Sequence, residues 1–569
     1  MSILGRVDKL LKVKGTDPLP GQSIAESFLN NKDLRPVEPE RRTWSSWSFV
    51  FFWVADGLNL STFYLASSAF SLGLSWYAAW IAVILGYTIV SFVIVITARI
   101  AAIYHISFPI LARSSFGVWG AIWPTINRSA MACIWYGVQS YIGAQCVTLL
   151  LRSLAPKYIQ MHNSLPASAG LTTADFVSFF LFSLISLPII YIKPEKIRWF
   201  FMVKAVIVPI AAFAFFGWSI ASANGLGPIV HTPATVSGSV FGWGFVSSVM
   251  SCISNMATLA VNIPDVARLA KSKRSVTWSQ LLAIPFTFSI TSFLGIIIAS
   301  SSQVIYGELI WDPVQNLGER LNRNPYGSAD RAGVFFISFA FIIGQIGTNV
   351  AANSLSAGHD LAAIMPRYIT IRRGSFVAAA VGFAMCPWNL LKSSNSFTTY
   401  LSAYSLFLSS ISGTMLCDYY IVRRGVLQVE SLYTCKPDQP YRYLGGFNLR
   451  AFAAYISGIA MTVTGFAGIL GANVSSTAQH MYTLAYPIGF LTSGLVYLIL
   501  CTIFPIPGSY DVRKSGKTFN EPQSWESDSW FPEVDVSHHR QTLSGNITPS
   551  TEKDGSLTEK ADIREEEYR

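Results

Sequence analysis

A large aromatic ring and a carboxamide stand four residues apart in CIWYGVQS, residues 133–140. On an α-helix, Trp135 and Gln139 share one face, because residues four apart are neighbours on its surface. An indole offers a flat apolar surface for stacking, and a carboxamide offers both a hydrogen-bond donor and an acceptor. The pair suits a planar solute whose edge alternates N–H and C=O groups. Each residue taken alone is more typical of packing or of hydrogen bonding between helices.

A second set of amides lies in GQIGTNVAANSLSAGHD, residues 344–360. Asn349 and Asn353 are four residues apart, among small side chains that allow helices to approach closely. Two interpretations stay open. The amides either join helices to one another, or they present donors and acceptors to a solute.

Polar residues also interrupt two apolar stretches, FFWVADGLNLSTFY (51–64) and TLAVNIPDVARLAK (258–271). Asp56 and Asn59 stand in the first, where an acidic group is by default a functional hypothesis. We expect Asp56 to bind a proton or a cation, and a structural acceptor role is equally open. Pro264 and Asp265 interrupt the second, although the neighbouring basic residues also allow Asp265 a position at the membrane surface. Breaks at matching positions of two halves indicate a transporter site.

The elements that position these residues are membrane spans. Of the 569 residues, 51% are hydrophobic and 13% are charged, against about 25% charged in a typical soluble protein. The net charge of +10 lies in loops and tails, which argues against nucleic-acid binding. The spans contain no nucleophile–base pair or metal-ligand cluster, so we predict neither an enzyme nor a metal or organic cofactor. A channel would need a continuous polar pore or a repeated filter, which is not visible.

Twelve stretches are long and apolar enough to cross a bilayer, which needs about 20 residues each. Alternate loops carry Lys and Arg, whereas loops 71–75, 223–238 and 472–481 carry none. The positive-inside rule therefore places both termini in the cytoplasm. Lys204, in the fifth span, is expected to extend to the surface. The predicted spans are 46–70, 76–98, 121–152, 175–193, 199–222, 239–261, 279–302, 333–357, 374–391, 398–422, 450–471 and 482–504.

The transporter domain is expected to occupy residues 45–505, between a polar N-terminal tail, 1–44, and a C-terminal tail, 506–569. Both tails have a composition that cannot bury enough apolar surface to become ordered. Ubiquitin ligases or trafficking proteins are candidate partners of the tails, beside the membrane lipids around the spans. The lysines available for ubiquitin are Lys514, Lys517, Lys553 and Lys560.

Several of these motifs together resemble the nucleobase-cation-symport family 1, in its fungal branch of uracil, uridine, allantoin and thiamine permeases. The resemblance covers roughly residues 35–505. It implies an all-α fold of 12 transmembrane helices, with a five-plus-five inverted repeat, two extra helices, and interrupted helices 1 and 6. The motifs are Trp-x-x-x-Gln, TNVAANS, NIPDVAR, AMCPWNLLKSSNSFTTYL and LSAYSLFLSSISGTMLCDYYIVRRG.

The resemblance also implies roles for particular residues. Trp135 would stack on the substrate ring, and Gln139 and Asn353 would hydrogen-bond its amides. Asn255 occupies a further contact position of the sixth span, and we include Asn349 in the same predicted site. The tenth span acts as an outer gate in this family, which makes Ser396, Phe397 and Thr399 candidate filters.

The coupling ion follows from a departure from the family pattern. A bacterial relative binds sodium with a Ser-Thr pair of the eighth span, together with backbone groups of the first span. Here Thr348 is kept, but the Ser position is Gly347. With Asp56 and Asn59 as the other coupling candidates, we predict proton symport rather than sodium symport.

The sequence therefore predicts a secondary active transporter of the plasma membrane that imports uracil or a related ureide. The substrate is expected to be a planar ring with an amide edge. The alternatives are an allantoin, uridine, thiamine or other vitamin or nucleoside permease of the same family, and a transporter-like nutrient receptor.

Overall fold

The computed structural model describes residues 11–13, 24–30, 32–192, 198–226, 230–231, 233–508 and 519. Within these residues the chain is helical, with two isolated bridges and no strand. The helices are α1 Ile24–Leu29, α2 Ser46–Gly57, α3 Leu60–Ser68, α4 Trp76–Tyr104, α5 Phe108–Phe116, α6 Ile122–Leu154, α7 Thr173–Tyr191, α8 Arg198–Ser222, α9 Gly238–Asn255, α10 Ala257–Asn262, α11 Pro264–Ala267, α12 Lys273–Tyr306, α13 Pro313–Arg323, α14 Ser328–Thr348, α15 Leu355–Ile364, α16 Ile371–Ala384, α17 Ser394–Cys417, α18 Leu449–Ala460, α19 Val463–Ile469, α20 Ser476–Thr483 and α21 Ala485–Ile503.

Six helices of the described chain are long and apolar enough to cross a membrane: α4, α7, α8, α12, α14 continued by α15, and α21. Two bent pairs, α2 with α3 and α18 with α19, also pass when each pair is counted as one span. Large apolar side chains, such as Phe286 and Leu491, project outward from these helices and are exposed. An apolar outer surface of this kind indicates an integral membrane protein.

The first apolar stretch bends by 59° between α2 and α3. Asn59 lies at the bend with extended backbone angles, and its Oδ1 accepts a hydrogen bond from the Thr62 N–H at 3.0 Å. Its Nδ2 donates to the Asp56 carbonyl oxygen. One side chain therefore satisfies a backbone donor and a backbone acceptor that the break would leave unpaired, which matters where water is scarce.

The sixth stretch divides into α9, α10 and α11. The first break falls at Met256, next to Asn255, and Pro264 begins the short helix α11, a position where its missing N–H costs nothing. Asp265 is buried, and its Oδ1 accepts from the Phe108 N–H at 2.9 Å. The adjoining Arg268 is buried with Asp265, whereas Lys271 and Arg274 are exposed.

Between α14 and α15 the chain forms a π-helical segment, Asn349–Ser354. Such segments are rare and often mark functional sites, because they shift the register of one face of a helix. Here the segment carries both amides predicted for the site.

Small side chains bring α6 against α15 and α16. Ala132 and Cys133 of α6 pack with Ala357 and Ala378 in one buried cluster. A Cβ added at Gly137 would lie 2.7 Å from the Gly382 carbonyl oxygen. This close approach fixes the face of α6 that carries Trp135 and Gln139.

The N-terminal segment differs from the predicted solvated tail. Leu29, Leu34 and Val37 are buried against the body, and the Tyr433 hydroxyl donates to the Leu34 carbonyl oxygen at 2.8 Å. The prediction is wrong for residues 24–44 because a composition averaged over the tail hides three well-placed apolar residues. Residues 1–10, 14–23 and 31 lie outside the described residues, as do the tail lysines and nearly all of 506–569.

Candidate functional site

Gln139 lies at the meeting point of three helices. Its Oε1 accepts from the Ser61 hydroxyl of α3 at 3.1 Å and from Nε2 of Gln345, on α14, at 3.0 Å. The side chain is 4% exposed. Among the described residues its Nε2 makes no hydrogen bond, so a buried amide donor is left for another partner.

The two asparagines of the π-helical segment have different surroundings. Nδ2 of Asn349 donates to the Tyr136 carbonyl oxygen at 3.0 Å and to the Ser140 hydroxyl at 2.9 Å, both on α6. Its Oδ1 accepts from Nδ2 of Asn353 at 3.0 Å. Asn349 therefore joins helices, whereas Oδ1 of Asn353 accepts nothing within the described chain. Of the two, Asn353 is the one whose acceptor remains for a solute.

Trp135 is buried against two tyrosines of α17. The ring centroids lie 5.7 Å from Tyr400 and 6.4 Å from Tyr404. The Tyr404 hydroxyl donates to the Ser254 carbonyl oxygen at 2.8 Å, which ties α17 to α9. The Tyr400 hydroxyl is buried and finds no partner in the described part of the chain. The fixed Tyr404 and the unbonded Tyr400 thus enclose the indole on one side.

Asn255 is placed at the end of α9, where its Nδ2 donates to the Tyr87 hydroxyl at 2.9 Å. Tyr87 stacks on Phe288 with ring centroids 4.2 Å apart, and it interacts electrostatically with Asp56. Asn255 therefore connects the break beside Met256 with the acidic residue of the first span.

Lys204 is 1% exposed, and its Nζ donates to the Thr348 hydroxyl at 2.5 Å. The predicted extension to the surface is wrong, because α8 directs this side chain inward. Gly347 allows this arrangement: a Cβ there would lie 2.6 Å from Cδ of Lys204. The lysine therefore fills the space that a side chain at position 347 would need.

Asp56 and Lys204 interact electrostatically inside the protein. A buried charge is costly unless it is paired, so each of these groups compensates the other. Asn59, predicted as a coupling residue, uses its amide to hold the break together. The bend at Asn59 connects the Asp56–Lys204 group with the Gln139 group. Asp56 precedes the bend, and Ser61, which bonds to Gln139, follows it.

Buried charges close the site beyond Asn353. The Arg128 guanidinium lies 2.5 Å from Asp360 and 3.8 Å from Asp265. The Arg268 guanidinium approaches Nε2 of His359 at 2.9 Å. Arg128 belongs to α6, and His359 and Asp360 belong to α15. Asp265 lies in α11, and Arg268 follows the end of that helix. The three helices therefore meet on the side of the protein that carries the basic loops. Opening the protein there would require these pairs to separate.

His105 supports the same closure from the end of α4. Burial and the nearby Arg42 charge lower its pKa to about 4. The ring is therefore neutral near pH 7, and its Nδ1–H donates to the Arg268 carbonyl oxygen at 2.9 Å.

The structure describes the side chain of only one of the three predicted filter residues. Ser396 and Phe397 lie within α17, but their side chains fall outside the described residues. Thr399 is half-buried in the same helix.

Sequence reasoning missed five residues: Ser61, Gln345, Lys204, Tyr400 and Tyr404. Two of them carried a signal. Gln345 precedes Asn349 by four residues and so shares its face, and a lysine inside an apolar span indicates function. The tyrosines and Ser61 are ordinary residues of apolar helices, and only the structure shows their partners.

Comparison with known proteins shows extensive similarity. A family model described as "Permease for cytosine/purines, uracil, thiamine, allantoin" matches residues 36–489. The allantoin permease of Saccharomyces cerevisiae is 44% identical over 498 residues, covering 86% of this chain and 78% of the relative. The uracil permease of the same organism is 44% identical over 499 residues, with the same two coverages. Its uridine permease is 40% identical over 492 residues, covering 86% of this chain and 77% of the relative.

Solved structures share the fold. Mhp1, a nucleobase-cation-symport-1 family transporter in a closed conformation with bromovinylhydantoin bound, superimposes with a TM-score of 0.64 at 21% identity. The match covers 88% of this chain and 100% of the other. The inward-facing conformation of Mhp1 gives a TM-score of 0.66, covering 87% and 98% of the two chains.

Proposed function

Since the chain belongs to the family of permeases for cytosine/purines, uracil, thiamine and allantoin, we propose that it imports a nucleobase or related ureide, with uracil as the first candidate. It is a transporter of the integral membrane class and not an enzyme. The names of its yeast relatives keep allantoin and uridine open as alternative substrates. Plasma-membrane location, with both termini in the cytoplasm, is part of the proposal.

The substrate class is supported by three side chains near the break of the first span and the π-helical segment: the indole of Trp135, the Gln139 amide and the Asn353 amide. A flat ring stacked on Trp135 would place its edge between Gln139 and Asn353. Nε2 of Gln139 would donate to a ring carbonyl, and Oδ1 of Asn353 would accept from a ring N–H. A site of this kind rejects rings that leave either buried amide unpaired.

The conformational cycle is proposed to be alternating access by twelve spans, ten of them in a five-plus-five inverted repeat. The bend at Asn59 and the break at Met256 would then be the interruptions of helices 1 and 6. The buried pairs of Arg128 would close the cytoplasmic side and would separate when the substrate is released.

Proton symport is supported by the position of Lys204. The Lys204 ammonium donates to the Thr348 hydroxyl, and its side chain fills the space beside Gly347. Lys204 and Asp56 interact electrostatically, so a proton bound at one would affect the other, and the break joins Asp56 to Ser61 and so to Gln139. Substrate and proton would thereby affect the same short segment of the first span.

Uptake into cells that lack their own permeases tests this function. Labelled uracil, allantoin, uridine and thiamine are supplied separately, with competition among them. We expect concentrative uptake of at least one, unchanged when choline replaces sodium and abolished by a protonophore. A nutrient receptor would bind these compounds without accumulating them. No uptake of any of the four, with the protein present at the membrane, would reject the function.

Tyr400 gives a prediction about specificity. Tyr400→Ala removes a ring that packs against Trp135, and such contacts contribute about 0.5–1.5 kcal/mol. We expect the KM for the native substrate to rise by roughly 2- to 12-fold, and larger solutes such as nucleosides to begin to compete. Tyr404→Phe keeps the ring and loses the hydroxyl that bonds to Ser254, so its substrate range should stay as in the native protein. Unchanged competition by nucleosides in Tyr400→Ala would contradict the prediction.

The tails are proposed to act in trafficking, with ubiquitin attached to their lysines. Membrane lipids are the proposed partners of the spans. Replacing Lys514, Lys517, Lys553 and Lys560 together by arginine would keep the charge. We expect a longer lifetime at the cell surface and unchanged uptake kinetics per molecule.

A further inference from the structure

Asp312 connects a surface helix to the first span. Its Oδ1 accepts from the Val314 N–H at 2.7 Å and from the Gln315 N–H at 3.0 Å, which caps α13. The same oxygen accepts from the Tyr64 hydroxyl of α3 at 2.7 Å. Hydrogen bonds to a carboxylate are stronger than neutral ones. A single carboxylate oxygen therefore holds α13 and α3 together.

The other end of α13 is held as well. The Arg320 guanidinium lies 3.8 Å from the centre of the Trp218 ring on α8, and its NH1 donates to the Ser222 hydroxyl at 2.9 Å. The helix thus spans from α3 to α8 across the face of the protein opposite the basic loops. Movement of α3 relative to α8 must break one of these two attachments.

Tyr64 is also close to the candidate site. It lies three residues, or nearly one helical turn, beyond Ser61, whose hydroxyl donates to Gln139. On α6, Gln145 continues the path outward, with its Oε1 3.3 Å from the Tyr64 hydroxyl. The Asp312–Tyr64 bond therefore lies on the outer side of Ser61 and Gln139.

We propose that Asp312 and Tyr64 are positioning residues that latch the outer side of the transporter. While the bond is made, α13 covers the route and α3 holds Ser61 against Gln139. When it breaks, α3 is free to move away from α6, and the site opens to the outside. This inference rests on the proposed orientation and transport function, and neither residue needs to touch the substrate.

A native cysteine reports directly on the latch. Cys146, next to Gln145 on α6, is buried and interacts electrostatically with both Tyr64 and Asp312. The experiment uses the full-length protein with the exposed Cys386 replaced by serine. A membrane-impermeant methanethiosulfonate is applied to intact cells, and the rate of Cys146 modification is measured. Cys146→Ser in the same background identifies the labelled position.

The test variants each weaken one bond and keep the fold. Tyr64→Phe removes only the hydroxyl, and Asp312→Asn keeps a capping side chain while removing the charge. We expect each to raise the rate of Cys146 modification by about tenfold, since a hydrogen bond to a charged group is typically that strong. The double variant should add little to Tyr64→Phe, because Asp312→Asn acts on the latch through the same Tyr64–Asp312 hydrogen bond.

A control on the same helix separates the latch from general loosening. Asn322→Ala removes the exposed contact between Asn322 and Arg152 of α6 and should leave the labelling rate unchanged. Latch variants should also lower the KM for uptake from outside and lower the maximal rate, because the outward-open state would be favoured. A native labelling rate in both latch variants, or an equal rise in Asn322→Ala, would overturn the inference. Labelling is independent of substrate, so absence of uptake would reject the proposed function alone.

Discussion

Lys204→Met is expected to abolish concentrative uptake, lowering the initial rate by roughly 100-fold, because removing one partner of a buried charge pair is strongly unfavourable. Methionine has similar length and leaves Asp56 without its cationic partner. Lys204→Arg should fail nearly as completely, since guanidinium is larger and does not release its proton. Initial rates are measured at several external pH values, with and without a protonophore, and corrected for protein at the cell surface.

The exposed Lys157 provides the matched control, and Lys157→Met should transport normally. Protonophore-sensitive accumulation in Lys204→Met would contradict the coupling role. Gly347→Ser adds a second test, since its Cβ would meet the lysine chain at 2.6 Å. We expect this variant to lose activity by about tenfold, as overpacking in tight cores typically costs 1–3 kcal/mol.

The double variant Lys204→Ala with Gly347→Ser relieves that contact and places a new hydroxyl beside Thr348. This is the arrangement that family resemblance associates with sodium. We expect any uptake recovered by the double variant to depend on sodium, measured by substitution with choline. If uptake recovers to the same level in choline as in sodium, the lysine does not occupy the place of a coupling ion.

Gln139→Ala and Asn353→Ala are expected to raise the KM by roughly 10- to 100-fold each, because each leaves a buried substrate group without its hydrogen bond, at about 1–3 kcal/mol. Both variants should reach the membrane at native levels. The effect is measured from uptake kinetics and from competition by unlabelled substrate.

Two other amides make the result specific. Asn127 lies on the same helix as Gln139, and within the described residues its side chain bonds only to the Trp123 carbonyl oxygen of that helix. Asn127→Ala should therefore leave the KM unchanged. Asn349 joins the π-helical segment to α6 through two hydrogen bonds and accepts a third from Asn353, so Asn349→Ala should lower the thermal stability of the purified protein. A native KM in both Gln139→Ala and Asn353→Ala would remove these residues from the binding site.

The sequence predicted the helical membrane class because this depends on local pattern. Trp135 and Gln139 are four residues apart, and their shared face follows from helical geometry alone. Their roles toward a substrate, and that of Asn353, were implied by the family resemblance and stay predictions. The match to the permease family model confirms the family, and the similarity to Mhp1 confirms the fold.

Errors arose where a residue's role depends on a distant partner. Lys204 was expected at the surface because its proximity to basic residues is visible in sequence, whereas Thr348, its partner, is 144 residues away. Asn349 and Asn353 have the same type and neighbourhood, and only their contacts show that one joins helices while the other keeps an acceptor free. The ordered segment 24–44 depends on grooves formed by loops far along the chain.

The amide of Asn59 has a mechanical consequence. By bonding to Asp56 on one side and Thr62 on the other, it makes the two half-helices a lever with a fixed angle. At 1.5 Å of rise per residue, Tyr64 lies about 7.5 Å from this fulcrum and Asp56 about 4.5 Å. A rotation of about 10° would therefore move Tyr64 by roughly 1.3 Å and Asp56 by roughly 0.8 Å, and displacements of this size make or break hydrogen bonds. A small tilt at the outer face is thus enough to change the contacts of a carboxylate deep in the protein.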